Sequence, residues 1–369
     1  MKYYLISGER SGDLHAGNLI IALKQKNTYA QVRAWGGEYV KNAGAELVVD
    51  YQELAIMGFW EVIKSISKIK KYLNFCKEDI IKYNPDVVVL VDYGGFNMRI
   101  AKFCKANGIK VFYYIVPKVW AWNQSRALKL KATVDQMFCI LPFEKEFFKQ
   151  YDCEVDYVGN PVMDAVKAHQ VDEDFLNKYK IPTDKKLIAL LPGSRKQELA
   201  NMLPIMTDVV TRYPQYHFAV AAISNFDKAV YHLIEKENNV TLVNEDTYNL
   251  LAYSKAAIVT SGTATLETAL WNVPQVVAYK TGWLNYTLAK NFIKVKYISL
   301  VNLIANREVV KELIQDNMNA RRIAEELELI IEESAQRTKM LNDYRQVREI
   351  LGETNASENT AKLMVEYLR

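Results

Sequence analysis

Four short stretches carry residue types and spacings that could do chemistry. In Val91-Asp92-Tyr93-Gly94-Gly95-Phe96-Asn97 an apolar run closes on a carboxylate beside two glycines. A carboxylate at the carboxyl end of a buried strand stands where a general base would stand, and the glycines let a substrate approach. The rival reading makes Asp92 the cap of the next helix. In Gly8-Glu9-Arg10-Ser11-Gly12-Asp13, three polar side chains (Glu9, Ser11 and Asp13) follow the first strand and are placed to face a cleft. The alternative is a glycine turn with Asp13 as helix cap. In Pro192-Gly193-Ser194-Arg195 a glycine turn, a hydroxyl and a guanidinium meet at a helix start. That combination suits an anion, because arginine forks onto phosphate oxygens. Last, Thr260-Ser261-Gly262-Thr263 joins an apolar strand to a helix carrying Glu267. Unpaired amides and the dipole favour phosphate there, and the carboxylate can accept two neighbouring ribose hydroxyls. Diphosphate at the helix end and ribose on Glu267 is one way to hold a nucleotide. A capped helix with Glu267 complementing the dipole is the other.

These residues need strands and helices to present them, and the pattern supplies both. Apolar runs at Lys2–Ser7, Gln31–Gly36, Asp86–Val91, Val111–Val116, Gln136–Leu141 and Val155–Val158 alternate with helical stretches such as Leu14–Gln25. The alternation resumes at Lys186–Leu191, Phe218–Ala222, Thr241–Val243, the strand before Ser261, and Gln275–Tyr279. Alternating elements predict parallel sheets flanked by helices, with ligands at the carboxyl ends of the strands. Gly159-Asn160-Pro161 reads as a hinge. Helices rich in Glu, Lys and Leu are expected over 307–350, then a polar break at 352–357 and a last helix to Arg369. The expected division is 1–165, 166–350, and a C-terminal helix over 351–369.

Composition narrows the classes. A length of 369 residues allows two domains with full cores. The net charge of +4 is too small to argue for nucleic acid. Cys76, Cys104, Cys139 and Cys153 lack paired ligand spacing and read as reduced structural thiols. No acidic cluster has metal spacing, so no metal is expected. The dinucleotide fingerprint and the P-loop are both missing. The opening residues read as a strand rather than a signal peptide, and no run approaches a membrane span. Residues 56–73 are apolar and aromatic, interleaved with Lys64, Lys68, Lys70 and Lys71. With Ile56, Met57, Phe59, Trp60 and Ile63, this reads as an amphipathic membrane-surface or acyl-chain element, or as a core helix with a solvated lysine face. Trp120 and Trp122, flanking Ala121, either line a sugar or acyl pocket or pack a loop.

Taken together the blocks resemble one family. Ser7 to Asp13, Leu54 to Gly58, Asp92 with Phe96-Asn97, Val119 to Trp122, Leu141-Pro142-Phe143-Glu144, Leu191 to Arg195 with Glu198, Ser261 to Glu267, and Ser299 to Leu303 resemble lipid-A-disaccharide synthase, a family-19 glycosyltransferase of the glycosyltransferase B architecture. The blocks fall in the family's order over nearly the whole chain. The resemblance implies two Rossmann-like α/β domains, with a C-terminal helix returning to the first. It implies inverting transfer of 2,3-diacylglucosamine from its UDP derivative to 2,3-diacylglucosamine 1-phosphate. The products are a β-1,6 disaccharide and UDP, formed in the cytoplasm on the inner membrane by an enzyme in peripheral contact with anionic lipid. A homodimer with exchanged C-terminal segments is compatible with the resemblance. Asp92 would be the base on the acceptor 6-hydroxyl, with Glu9, Ser11 and Asp13 facing the reaction centre. Gly193, Ser194, Arg195, Ser261, Gly262, Thr263, Glu267, Asn302 and Arg307 would line the donor side. The chain departs from the family pattern at Asn160, where a histidine is frequent, and at Gly95, where a second aspartate is frequent. That concentrates the base on Asp92. A UDP-N-acetylglucosamine 2-epimerase, a peptidoglycan-type glycosyltransferase and a non-catalytic nucleotide-sugar or lipid binding protein are the alternatives.

Overall fold

The computed structural model describes residues 1–55, 62–224, 226–280, 295–353 and 355–369; the side chains of residues 54, 55, 62–67 and 122 are also outside the description. The chain divides into two units, Met1–Pro161 with Thr354–Arg369, and Val162–Glu353. Each is a parallel α/β sheet with helices.

The first sheet is built from β1 (Lys2–Ile6), β2 (Gln31–Gly36), β3 (Glu46–Asp50), β4 (Val87–Val91), β5 (Val111–Tyr114), β6 (Gln136–Cys139) and β7 (Asp156–Tyr157), in the order β3-β2-β1-β4-β5-β6-β7. All five residues of β4 are buried, as an unbroken Val/Leu run between two helical layers must be. The last helix, Ala356–Tyr367, belongs to this unit. Its Ala361, Met364 and Val365 join Tyr3, Leu5, Leu19 and Leu23 in one core. Tyr367 donates its hydroxyl to Asp156 at 3.0 Å, and Asn359 donates to the Val158 carbonyl at 3.2 Å. The returning helix implied by the resemblance is therefore an integral part of the first core.

The second sheet runs β10-β9-β8-β11-β12-β13, from β8 (Leu187–Leu191), β9 (His217–Ala222), β10 (Val240–Asn244), β11 (Ala256–Thr260), β12 (Gln275–Tyr279) and β13 (Lys311–Ile314). Two strands differ from the sequence reading. β3 was not expected, and β13 falls inside the stretch assigned to helices. Lys311-Glu312-Leu313-Ile314 has helical composition, but it becomes a strand by pairing with Val276–Tyr279 of β12. Tertiary pairing overrides local propensity at a sheet edge. The Ala320–Ile331 and Ala335–Leu351 helices follow as expected. The four cysteines are free and buried. Among the described residues no helix is long and apolar enough to cross a membrane.

Candidate active site

In both sheets the strand order reverses between the first strand of the unit and its fourth in sequence. β1 pairs with β2 on one side and β4 on the other; β8 pairs with β9 and β11. Crevices open at such switch points, beyond the carboxyl ends of the two central strands. The four stretches singled out from the sequence are the loops at these two points.

In the first unit, Asp92 and Tyr93 leave β4 with φ of +47° and +49°. Two successive non-glycine residues in the left-handed region cost of order 1–3 kcal/mol each, and they persist only where the surroundings over-determine them. Here they do. The Asp92 carbonyl accepts the Tyr113 hydroxyl at 2.6 Å and the Asn97 amide at 2.9 Å. Asn97 is fully buried, and its amide also reaches the Ile6 and Val91 carbonyls, each at 3.3 Å. The Tyr93 ring lies over Gly8, where any Cβ would overlap it, and stacks on Phe96 with centroids 5.4 Å apart. Burial and the negative charge of Glu9 push the Tyr93 hydroxyl's pKa up, so the two loops meet. Glu9 and Ser11 are exposed at the start of the Arg10–Lys26 helix. Ile115, the residue after the neighbouring β5, is also left-handed at +60°.

Asp13 does something else. It is 1% exposed, and its oxygens accept the amides of Gly37 (2.6 Å), Val40 (3.1 Å) and Tyr39 (3.2 Å). It therefore caps the Glu38–Asn42 helix and faces into the fold rather than a cleft. Sequence spacing offered Asp13 as cap of its own helix; the structure makes it the cap of the next one. Trp120 is buried as a packed residue. Its indole donates to Glu144 at 2.9 Å, and its ring meets Phe143 edge-on at 4.9 Å. Glu144 also accepts the amides of Leu141 (3.0 Å) and Ile140 (3.2 Å), and burial raises its pKa to about 7 against those three donors. Ile56, Met57, Phe59 and Trp60 lie outside the described residues, as do the side chains of Ile63 and Trp122.

In the second unit, Leu191 of β8 pairs with Val259 of β11, which sets the Pro192–Arg195 and Ser261–Thr263 loops side by side. Gly193 has φ of +108°, and Glu198 packs where its Cβ would be. Glu198 accepts the amides of Ser194 (2.9 Å) and Arg195 (3.2 Å) and lies 3.5 Å from the Arg195 guanidinium. This helix end is therefore already occupied by its own carboxylate, and the anion reading narrows to Arg195, whose side chain is 73% exposed. An acidic residue three positions after the cap is a signal the sequence carries. At Gly262 a Cβ would meet nothing within 4 Å. The first-turn amides of Thr263 and Ala264 have no intrahelical partner. Glu267 accepts the Tyr248 hydroxyl at 2.9 Å, and burial raises its pKa.

Asn302 and Arg307 are committed elsewhere. Fully buried Asn302 donates to Val310 (2.9 Å) and Glu312 (2.8 Å), and accepts the amides of Val309 (2.7 Å) and Val310 (2.9 Å). Arg307 pairs with Asp343 at 2.9 Å and donates to Gln346 at 2.6 Å. Both shape the turn between the Leu300–Ala305 helix and β13 instead of presenting polar groups to a donor. Ser261 is tied to that segment through the Ile298 carbonyl at 2.9 Å. Among the described residues no group of three or more His, Cys, Asp or Glu is placed to hold a metal.

Comparison with known proteins adds the chemistry. The family model described as lipid-A-disaccharide synthetase matches residues 3–366. The lipid-A-disaccharide synthase of Myxococcus xanthus is 36% identical over 370 residues, covering 99% of this chain and 97% of that protein. The one from Coxiella burnetii is 32% identical over 366 residues, covering 98% and 96%. Among solved structures, a UDP-GlcNAc 2-epimerase from Neisseria meningitidis bound to UDP-GlcNAc superposes with TM-score 0.70 at 16% identity, covering 100% of this chain and 99% of that one. The calicheamicin glycosyltransferase CalG4 superposes with TM-score 0.63 at 14% identity, covering 100% and 98%. At these identities the structures share the fold.

Proposed function

The chain belongs to the lipid-A-disaccharide synthetase family, and from that premise we propose how its two half-sites divide the reaction. It is a glycosyltransferase with a nucleotide-sugar donor and a lipid acceptor. The donor is UDP-2,3-diacylglucosamine and the acceptor 2,3-diacylglucosamine 1-phosphate. The acceptor 6-hydroxyl oxygen bonds to the donor's anomeric carbon from the face opposite UDP. The bond from that carbon to the diphosphate oxygen breaks, UDP leaves with the electron pair, and Asp92 takes the hydroxyl proton. The product is the β-1,6 disaccharide.

One observation carries this assignment: Asp92 is held at the β1/β4 switch point in a backbone conformation that costs energy. Strain of this kind clusters where a side chain must be aimed. A positioned base contributes about 10²–10⁴-fold. On the donor side, Arg195 takes diphosphate charge together with the Thr263 and Ala264 amides, and Glu267 takes the ribose. Arg195 and those amides supply positive charge and dipoles without a metal, so activity should survive chelation. Loss on chelator treatment with recovery on adding magnesium would count against that. The enzyme works at the cytoplasmic face of the inner membrane, touching anionic lipid through the 56–73 segment. Replacing Phe59 and Trp60 with serine should release it from anionic vesicles in a sedimentation assay, and unchanged sedimentation would reject that contact. The overall assignment is tested by incubating the protein with donor and acceptor and weighing the products by mass spectrometry. Consumption of the donor without acceptor would point to epimerisation instead.

A further inference from the structure

Glu267 is anchored by one oxygen only. Oε1 accepts the Tyr248 hydroxyl at 2.9 Å, while Oε2 accepts from no described group. Tyr248, on the Thr247–Tyr253 helix, is itself held tightly. Its ring meets His169 perpendicular, with centroids 5.4 Å apart, and lies 5.9 Å from Trp271. His169 is fixed in turn by a 3.1 Å bond to the Asn249 side-chain oxygen, which also accepts the Asp172 amide at 2.8 Å. The cluster is half-buried, and within it the Trp271 indole N–H is buried without an acceptor among the described residues. A hydrogen bond in such surroundings is stronger than the same bond in water. Burial also disfavours the charge on Glu267, so further donors to that carboxylate are worth more there.

We propose that Tyr248 is a positioning residue that turns Glu267 so its second oxygen meets a vicinal diol, and that it thereby sets the preference for a ribonucleoside over a deoxyribonucleoside diphosphate. This rests on the reading of Glu267 as the ribose acceptor. Tyr248 touches no substrate; it acts through the orientation of the carboxylate. Without its hydroxyl, Glu267 gains freedom to rotate, and the gain from the 2′-hydroxyl falls.

The test is calorimetric titration of UDP and 2′-deoxy-UDP into the full-length protein, its Tyr248→Phe variant and its Glu267→Gln variant. A hydrogen bond to a charged acceptor corresponds to roughly tenfold or more in affinity. The unmodified protein should therefore prefer UDP by about that factor, and Glu267→Gln should erase most of the preference. Tyr248→Phe should bring the preference down to roughly threefold or less while leaving 2′-deoxy-UDP affinity nearly unchanged. Equal weakening of both ligands by Tyr248→Phe would mean a merely structural role and overturn the inference. So would an unchanged preference in Tyr248→Phe when Glu267→Gln has lost it. If the unmodified protein shows no preference, the ribose role of Glu267 fails first, and the inference falls with it.

Discussion

Asp92 and Glu267 occupy corresponding ends of two similar sheets, yet they are held in opposite ways. Asp92 sits on a left-handed turn, and what is gripped is its main-chain carbonyl, by Tyr113 and Asn97. Glu267 sits on a regular helix, and what is gripped is one oxygen of its side chain, by Tyr248. The contrast matches the tasks proposed for them. A base must be aimed within tenths of an ångström at a reacting proton, and a clamped backbone gives that direction. A ribose acceptor needs only the right carboxylate face, which one hydrogen bond can select.

The contrast can be broken most sharply at Asp92. Asp92→Asn keeps the turn but removes the base, and turnover should fall at least roughly a hundredfold with UDP affinity retained. Near-normal turnover would strip Asp92 of the role. Next in size is Arg195→Ala, which removes the exposed guanidinium and should weaken UDP binding by roughly tenfold or more in calorimetry. An unchanged affinity would move the diphosphate elsewhere. Tyr113→Phe tests the clamp itself. Turnover should drop roughly three- to tenfold while UDP affinity stays constant, because only one of the two grips on the Asp92 carbonyl is lost. Turnover equal to the parent's would show that Asn97 suffices.

The smallest effect is on stability against pH, and both of its groups, Glu144 and His15, lie in the first unit. Burial raises Glu144 to about 7 from 4.5, so the stability of its protonated form is fully present below about 4.5 and is lost as pH rises towards 7. His15, its Nδ1 sealed without a partner, is lowered to about 4 from 6.5, so its contribution is present above about 6.5 and is lost as pH falls towards 4. The two slopes oppose each other across one window. Glu144→Gln should therefore uncover the histidine slope, giving a denaturation midpoint that climbs more steeply from pH 4.5 to 7 than the parent's. Parallel curves for the two proteins would refute it.

Much of this was legible beforehand. Asp92, Arg195 and Gly262 lie on the switch-point loops that strand alternation foretold, and Glu267 on the helix that leaves one of them. The misreadings share a cause. Asp13, Asn302 and Arg307 are polar residues in the right neighbourhood, and sequence spacing cannot say whether a polar group meets a ligand or the chain itself. Asp13 accepts amides that lie 24 to 27 positions away. Tyr113 and Tyr248 left no trace among 23 tyrosines, because their meaning lies in single contacts 21 and 19 positions distant.

The sequence by itself determined the architecture and the family, because apolar periodicity and ordered motif blocks are local and survive without coordinates. Only the tertiary structure decided which polar residues are spent holding the fold and which are left to act. That choice depends on the partner each oxygen or nitrogen finds, and the partners arrive from distant parts of the chain only when the sheets close.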